Sequence, residues 1–202
     1  MMDTDCTLSR RGLLKSGGAL IVGFSFAPAI RARAQGARNQ GARGDIAGPP
    51  DPQEVDSWIA IHADNTATIY FGKCELGQGN TTSLLQIAGE ELDLDLDQLI
   101  SVALDTNVTP DQGATSSSSS IHRGGPPLRA AAAEARQALL RLASERLRVQ
   151  PGSLVVNRGI VSVSGQPTPS VSYGELIGNR EFNIKRSGIA PLKPVSRYKL
   201  VG

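Results

Sequence analysis

The sequence feature that most constrains the fold is a long amphipathic helical pattern at residues 127–148. Its apolar side chains recur at the three- and four-residue spacing of one helix face, at Leu128, Ala131, Ala132, Ala135, Leu139, Leu142, Ala143 and Leu147. Pro127 suits the first turn of this helix, and Pro151 follows its end. Because so many of these side chains are small alanines, we expect the helix to lie close against a sheet, with Leu139 and Leu142 buried.

Shorter segments predict the strands and a second helix. Two pairs of β-rich runs flank turn residues and predict hairpins: 58–61 with 66–71, and 154–156 with 160–163. A further strand is predicted at 100–104, a shorter helix at 81–92 with Asn80 or Thr81 as its N-cap, and a helical turn at 173–177. The predicted fold class is α+β, a mixed sheet with one long and one shorter helix.

The shorter helix is followed by a run of acidic residues. Their negative charges oppose the dipole at a helix C-terminus, and they are Glu90, Glu91, Asp93, Asp95 and Asp97. We therefore expect the helix to stop near Leu92.

The N-terminal segment, residues 1–34, has the layout of an export signal. Arg10 and Arg11 stand in a Ser-Arg-Arg-x-x-Leu-Lys frame, an apolar run follows at 17–30, and Ala32-Arg33-Ala34 resembles a cleavage site. A membrane anchor is the alternative, but the run is shorter than the roughly 20 residues that a spanning helix needs. We expect a twin-arginine-type signal that is cleaved after Ala34 and directs the protein to the periplasm.

Composition and charge argue against a nucleic-acid-binding protein. Aromatic residues make up 4% of the chain, which disfavours a surface for base stacking. The formal net charge of +2 comes from the segment 1–34, beyond which acidic side chains outnumber basic ones by one. We therefore expect no nucleic-acid partner.

The sequence also offers no obvious catalytic or metal-ligating cluster. His62 and His122 are the only histidines, and Cys74 is the one cysteine beyond the predicted signal, so no set of metal ligands is expected and no internal disulfide can form. The serine run before the long helix lacks the G-x-S-x-G pattern of a serine hydrolase. We predict neither catalytic residues nor metal ligands in this chain.

A glycine-rich turn at residues 72–79 joins the first hairpin to the shorter helix. Gly77 and Gly79 flank Gln78 and allow the backbone to approach a ligand closely, while the amides at the following helix start favour an anion such as phosphate. The Gln78 side chain offers an acceptor and two donors, which suits the edge of a heterocycle. An ordinary strand–helix turn is the alternative interpretation.

A polar stretch at residues 105–126 separates the last predicted strand of the first half from the long helix. It contains Thr115 and five consecutive serines, including Ser117, Ser118, Ser119 and Ser120. Hydroxyls just ahead of helical amides can hold a phosphate. A low-complexity linker is the alternative.

These segments together resemble a known family. Residues 72–92, with the motif E-L-G-Q-G at 75–79, resemble a cofactor segment in the large subunit of molybdenum hydroxylases, the xanthine dehydrogenase and aldehyde oxidase family. In that family a polar loop with serines and then a long helix follow, as they do here. The export signal and the early position of the motif narrow the resemblance to permuted periplasmic subunits of the isoquinoline 1-oxidoreductase beta type.

The resemblance implies a molybdopterin cofactor, in its cytosine dinucleotide form. It implies that Gln78, between Gly77 and Gly79, contacts the pterin. It also places Ser118 and Ser120, followed by Ser117 and Ser119, near the phosphate end. The complete enzyme is expected to oxidise an aldehyde or an N-heteroaromatic carbon and to pass electrons to an iron–sulfur small subunit and onward to a cytochrome.

The resemblance also implies that further domains of a large subunit are needed. The family's G-G-G-F-G-G loop and its Gly-x-Gly-Glu segment do not occur in this sequence. We expect a signal at 1–34, a flexible leader at 35–53, a partial molybdopterin-binding domain at 54–183 and a connector at 184–202, with no catalysis by this chain alone. The alternatives are a non-catalytic secreted α+β domain or remnant without a cofactor, and a periplasmic small-ligand-binding module.

Overall fold

A computed structural model describes residues 49–201. The predicted signal and most of the predicted leader lie outside these described residues. The helices and strands of residues 49–201, in chain order, are β1 Ile59–Ile61, β2 Ala67–Ile69, α1 Asn80–Leu92, β3 Leu99–Ser101, α2 Ser120–Leu147, β4 Leu154–Asn157, β5 Ile160–Val163, β6 Gln166–Ser172 and α3 Tyr173–Ile177. The α+β class is confirmed.

The strands form two three-stranded sheets where the sequence predicted one mixed sheet. In the first, β1 pairs antiparallel with β2, and β3 joins β2 in parallel. In the second, β4, β5 and β6 pair antiparallel in sequence order. Both predicted hairpins are confirmed, and their turns contain left-handed residues, Asn65 in one and Arg158 with Gly159 in the other.

Strand β6 was not expected from the sequence. Pro167 and Pro169 interrupt its pattern, and proline removes the amide that a central strand needs. The strand nevertheless forms because it is at the edge of its sheet and pairs with β5 alone.

Helix α2 begins at Ser120, seven residues before the predicted start, so the placement of Pro127 in the first turn was wrong. Pro126 and Pro127 lie inside the helix, although proline removes a helical hydrogen bond there. Close packing explains this start. A Cβ atom on Gly125 would lie 3.0 Å from Ile87 Cδ1 of α1, so the glycine allows the first turns of α2 to approach α1.

The most extensive packing partner of α2 is α1, whereas the sequence interpretation expected a sheet. The predicted apolar face is otherwise largely correct, because six of its eight side chains are buried: Leu128, Ala131, Ala132, Ala135, Leu139 and Ala143. Leu139 is fully buried as predicted, but Leu142 and Leu147 are only partly buried at the margin of the core. No helix among residues 49–201 combines the length and the apolar character needed to cross a membrane.

Replacing Leu139 with alanine is expected to lower the free energy of unfolding by about 2–5 kcal/mol, because the fully buried side chain leaves a cavity. The loss for Leu142→Ala should be smaller because Leu142 is only partly buried. Chemical denaturation measures both, and Arg141→Ala, at an exposed position on the same helix, is the control. Equal losses for the two leucine variants would contradict this packing.

The last part of the chain packs on α1. Glu90 and Glu91 are buried at the C-terminal end of this helix, which stops at Leu92 as predicted. Glu90 Oε1 accepts hydrogen bonds from three consecutive amides, those of residues 199–201. Residues 193–201, predicted as part of a connector, are therefore held against the helix that follows the glycine-rich turn.

Candidate functional site

The glycine-rich turn at residues 72–79 runs from the end of the β2 segment to the start of α1. Its first residue is tightly enclosed, since a Cβ atom on Gly72 would lie 2.1 Å from the carbonyl oxygen of Pro110. Only glycine allows this approach without a shift of the backbone. The turn therefore passes directly beside the polar stretch that precedes α2.

The structure brings the two predicted cofactor segments together. The Cys74 amide donates to Thr115 Oγ1 at 2.9 Å, and Asn80 Nδ2 donates to Ser120 Oγ at 3.2 Å. Asn80 Nδ2 also contacts the carbonyl oxygen of Cys74 at 3.1 Å. Helices α1 and α2 therefore start side by side, with the glycine-rich turn and the serines as neighbours.

The start of α1 is bound by a carboxylate of its own turn. Glu75 Oε1 accepts from the amides of Gly77 (2.7 Å) and Gly79 (3.1 Å), and Oε2 accepts from the amide of Thr81 (2.9 Å). Hydrogen bonds from the Thr81 and Gly79 amides hold the pKa of the Glu75 carboxyl below its usual value. Glu75 thus binds one amide of the first turn, that of Thr81, and places a negative charge where the sequence predicted an external anion.

The predicted N-cap of α1 was wrong. Gly79, with φ +80°, takes that position, and neither Asn80 nor Thr81 does. A left-handed backbone at this position favours glycine. Among the described residues, no heavy atom beyond the adjacent residues lies within 4 Å of a Cβ built on Gly77 or Gly79, so this side of the turn is open.

Gln78 is exposed, and its side chain folds back onto the turn. Its Oε1 accepts from the Leu76 amide at 2.6 Å, and its Nε2 donates to the carbonyl oxygen of Cys74 at 2.8 Å. A primary amide has a further proton and a further lone pair available for a ligand. The contact of Gln78 with a pterin stays a prediction.

The four serines differ in their surroundings. Ser117 and Ser118 are exposed and both adopt the left-handed conformation, with φ of +53° and +55°, which is strained for residues other than glycine. Ser119 Oγ donates to the carbonyl oxygen of Ser116 at 2.7 Å. Ser120 is buried and bonded to Asn80. Ser117 and Ser118 are therefore the two serines whose side chains are most accessible to a ligand.

The start of α2 has a different electrostatic environment from that of α1. The side chain of its N-cap, Ser119, does not bond to the helix, and the first turn contains no acidic residue. Arg123 lies exposed near this end, where a basic residue opposes the helix dipole. Uncapped amides, hydroxyl donors and a positive charge fit an anionic group such as a phosphate.

Sequence reasoning missed two residues that hold the site together. Lys73 is buried, and its ammonium donates to the carbonyl oxygens of residues 112, 113 and 114. The Gln112 side chain accepts from the Gly72 amide and donates to the carbonyl oxygen of Gly124. No local spacing marks a lysine as buried, so the sequence contained no signal for this role.

The remaining chemistry-bearing side chains do not converge. His62 Nε2 lies 2.7 Å from Thr68 Oγ1 in the first hairpin, His122 is exposed on α2, and Cys74 is partly buried in the glycine-rich turn. Among residues 49–201 no three His, Cys, Asp or Glu side chains form a group that could hold a metal ion.

Comparison with known proteins gives a family match over almost the whole chain. Residues 10–197 match the molybdopterin cofactor-binding domain family. The chain is 39% identical over 150 residues to a nicotinate dehydrogenase subunit of Pseudomonas putida. The aligned region covers 74% of this chain and 12% of that protein.

Two further relatives match a larger share of the chain. The beta subunit of isoquinoline 1-oxidoreductase from Brevundimonas diminuta is 30% identical over 190 residues, covering 85% of this chain and 22% of that protein. A membrane-bound aldehyde dehydrogenase of Gluconacetobacter polyoxogenes, whose name includes pyrroloquinoline-quinone, is 27% identical over 200 residues, covering 97% and 25%. The chain thus spans a quarter or less of the length of these relatives.

Proposed function

This chain belongs to the molybdopterin cofactor-binding domain family, and we propose that it forms one side of the cofactor site in the large subunit of a molybdenum hydroxylase. The observation that carries the proposal is the contact between two segments distant in sequence. The glycine-rich turn and the serines meet through Cys74 with Thr115 and through Asn80 with Ser120.

The two segments offer hydrogen-bond donors to different parts of the cofactor. The open side of Gly77 and Gly79 suits the polar edge of a pterin, as do the proton and the lone pair of the Gln78 amide that are not used within the turn. Ser117, Ser118 and the first amides of α2 suit its phosphate end. When bound, the molybdenum cofactor supplies the redox centre, and the residues of this chain supply binding and orientation.

The relatives support the remaining parts of the proposal. Their names describe oxidoreductase enzymes and subunits, so we infer that the complete enzyme oxidises an N-heteroaromatic compound or an aldehyde and contains other subunits. We assign the electron-accepting roles to an iron–sulfur small subunit and a cytochrome, and the cofactor to the cytosine dinucleotide form. We further infer export to the periplasm through the segment 1–34, from the arginine pair and the apolar run that follows it.

Retention of pterin by the purified chain tests the binding function. The chain is produced in a host that makes the molybdenum cofactor, and bound pterin is oxidised and measured by its fluorescence. Because this chain supplies one side of the site only, we expect pterin below one equivalent but well above an unrelated protein from the same host. Pyrroloquinoline-quinone is assayed in the same sample, since one relative carries that name. Absence of both cofactors would favour a secreted α+β domain without a cofactor.

Substitution of the predicted contacts should reduce this retention. Gln78→Ala, and separately Ser117→Ala combined with Ser118→Ala, are each expected to lower pterin content about tenfold, the effect of losing a hydrogen bond to a charged or buried partner. Ser170→Ala, at an exposed position on β6, is the control. Pterin content equal to that of the control would remove the substituted residues from the site.

A further inference from the structure

Lys73 is an unusual buried cation. The residue is 2% exposed, and its ammonium lies 2.8, 3.3 and 3.0 Å from the carbonyl oxygens of residues 112, 113 and 114. None of the ion pairs among residues 49–201 includes it. Burial of a charge without an opposite charge is costly unless it is hydrogen-bonded, so the three carbonyl oxygens are the groups that hold this ammonium in place.

Gln112 links the same segment to two other elements. Its Oε1 accepts from the Gly72 amide at 2.8 Å, and its Nε2 donates to the carbonyl oxygen of Gly124 at 2.9 Å. The stem of Lys73 passes under the same helical turn, since a Cβ atom on Gly124 would lie 3.3 Å from Lys73 Cε. The two side chains therefore connect the glycine-rich turn, the segment 112–114 and the start of α2.

The geometry of the three carbonyls explains the residue type. Three acceptors that converge on one point need three donors on one atom, and only an ammonium group provides them. The guanidinium group of an arginine spreads its donors in a plane, and glutamine has two. Lysine is thus the side chain that this arrangement of carbonyls selects.

We propose that Lys73 and Gln112 form a clip that sets the spacing between the glycine-rich turn and the serine segment, with Lys73 as a positioning residue of the cofactor site. The effect of the clip on cofactor binding rests on the proposed function, because the clip fixes the two segments that are assigned to the pterin and to its phosphate. The clip itself is defined by protein contacts alone, so it can be tested without a cofactor.

Cys74 provides a direct probe of the clip. It directly follows Lys73, it is partly buried, and it becomes the sole thiol in a Cys6→Ser background. We expect Lys73→Met to raise the rate of Cys74 modification by a water-soluble thiol reagent about tenfold, the factor expected from the loss of charge-assisted hydrogen bonds. The melting temperature of Lys73→Met should fall less than that of Leu139→Ala. Gly113 and Ala114 are exposed residues, so water can bind their carbonyl oxygens once the ammonium is removed.

Four further variants separate the clip from a general loss of stability. Leu139→Ala destabilises the core and should leave the Cys74 rate near that of the parent, as should Lys185→Met at an exposed lysine. Lys73→Arg keeps the charge and should fail to restore slow modification. Gln112→Met removes the hydrogen bonds to Gly72 and Gly124 and should also raise the rate of Cys74 modification. If Lys73→Met does not fold, Gln112→Met alone tests the clip.

The outcomes distinguish the clip from the proposed function. A Cys74 rate within about twofold of the parent in both Lys73→Met and Gln112→Met, or full restoration by arginine, would overturn the clip. If the clip positions the site, Lys73→Met should also lose more pterin than Leu139→Ala. A parent chain that binds no pterin, yet shows the expected rates, would overturn the proposed function and leave the clip in place.

Discussion

Replacing Glu90 with alanine is expected to release residues 199–201 from α1 and to lower the free energy of unfolding by about 1.5–3 kcal/mol, the size of a lost hydrogen bond to a charged group. The Glu90 side chain is 2% exposed, and one of its oxygens binds three consecutive amides. Its removal leaves those amides without an acceptor. It also takes one of two nearby carboxylates from the Lys193 ammonium, which lies 3.8 Å from Glu90 and 2.6 Å from Asp93.

Chemical denaturation measures the free energy of unfolding, and amide hydrogen exchange at residues 199–201 measures the release of this segment. Glu90→Gln keeps an oxygen acceptor and should show an intermediate loss in both measurements. Glu145→Ala removes an exposed carboxylate from α2 and serves as the control. Unchanged exchange at these amides in Glu90→Ala would contradict the contact on which the prediction rests.

The role of these acidic residues shows what local sequence reasoning omits. Opposition to the helix dipole predicts correctly that α1 ends at Leu92. It does not explain why Glu90 and Glu91 are buried. Glu91 accepts from Arg129 Nε at 2.7 Å and from the Lys193 amide at 2.9 Å. These partners lie far along the chain, and no residue near Glu91 in the sequence indicates them.

The hairpins were predictable because their signals are local. In each, a turn residue that tolerates a left-handed backbone separates two β-rich runs, with Asn65 in the first and Gly159 in the second. The start of α2 depends on a distant contact instead. Proline normally marks the first turn of a helix, but here α2 begins before both prolines, in a stretch where Gly125 allows a close approach to Ile87 of α1.

The candidate site was predictable in outline only. The order of the glycine-rich turn, the polar stretch and the long helix led to the family, and the structure places the two loops next to each other. The internal carboxylate of Glu75 at the start of α1 was not expected, although a glutamate four residues before an N-cap glycine is visible in the sequence. That carboxylate leaves the start of α2 as the end better suited to an external anion.

The largest effect on localisation is expected from Arg10→Lys combined with Arg11→Lys. Lysine keeps the positive charge but not the guanidinium pair that defines a twin-arginine signal. We therefore expect the full-length precursor to accumulate in the cytoplasm, whereas the parent should reach the periplasm and lose the segment 1–34. Cell fractionation and mass spectrometry of the intact protein measure both changes.

A matched double substitution separates the role of the arginine pair from a general effect of replacing arginine with lysine. Arg38→Lys combined with Arg43→Lys changes two arginines of the predicted leader and should leave export unchanged. Because twin-arginine export carries folded proteins, export by this route would allow the cofactor to be inserted before transport, which connects the predicted signal to the proposed function. Equal periplasmic recovery of the Arg10→Lys/Arg11→Lys protein and the control would show that the arginine pair does not direct export.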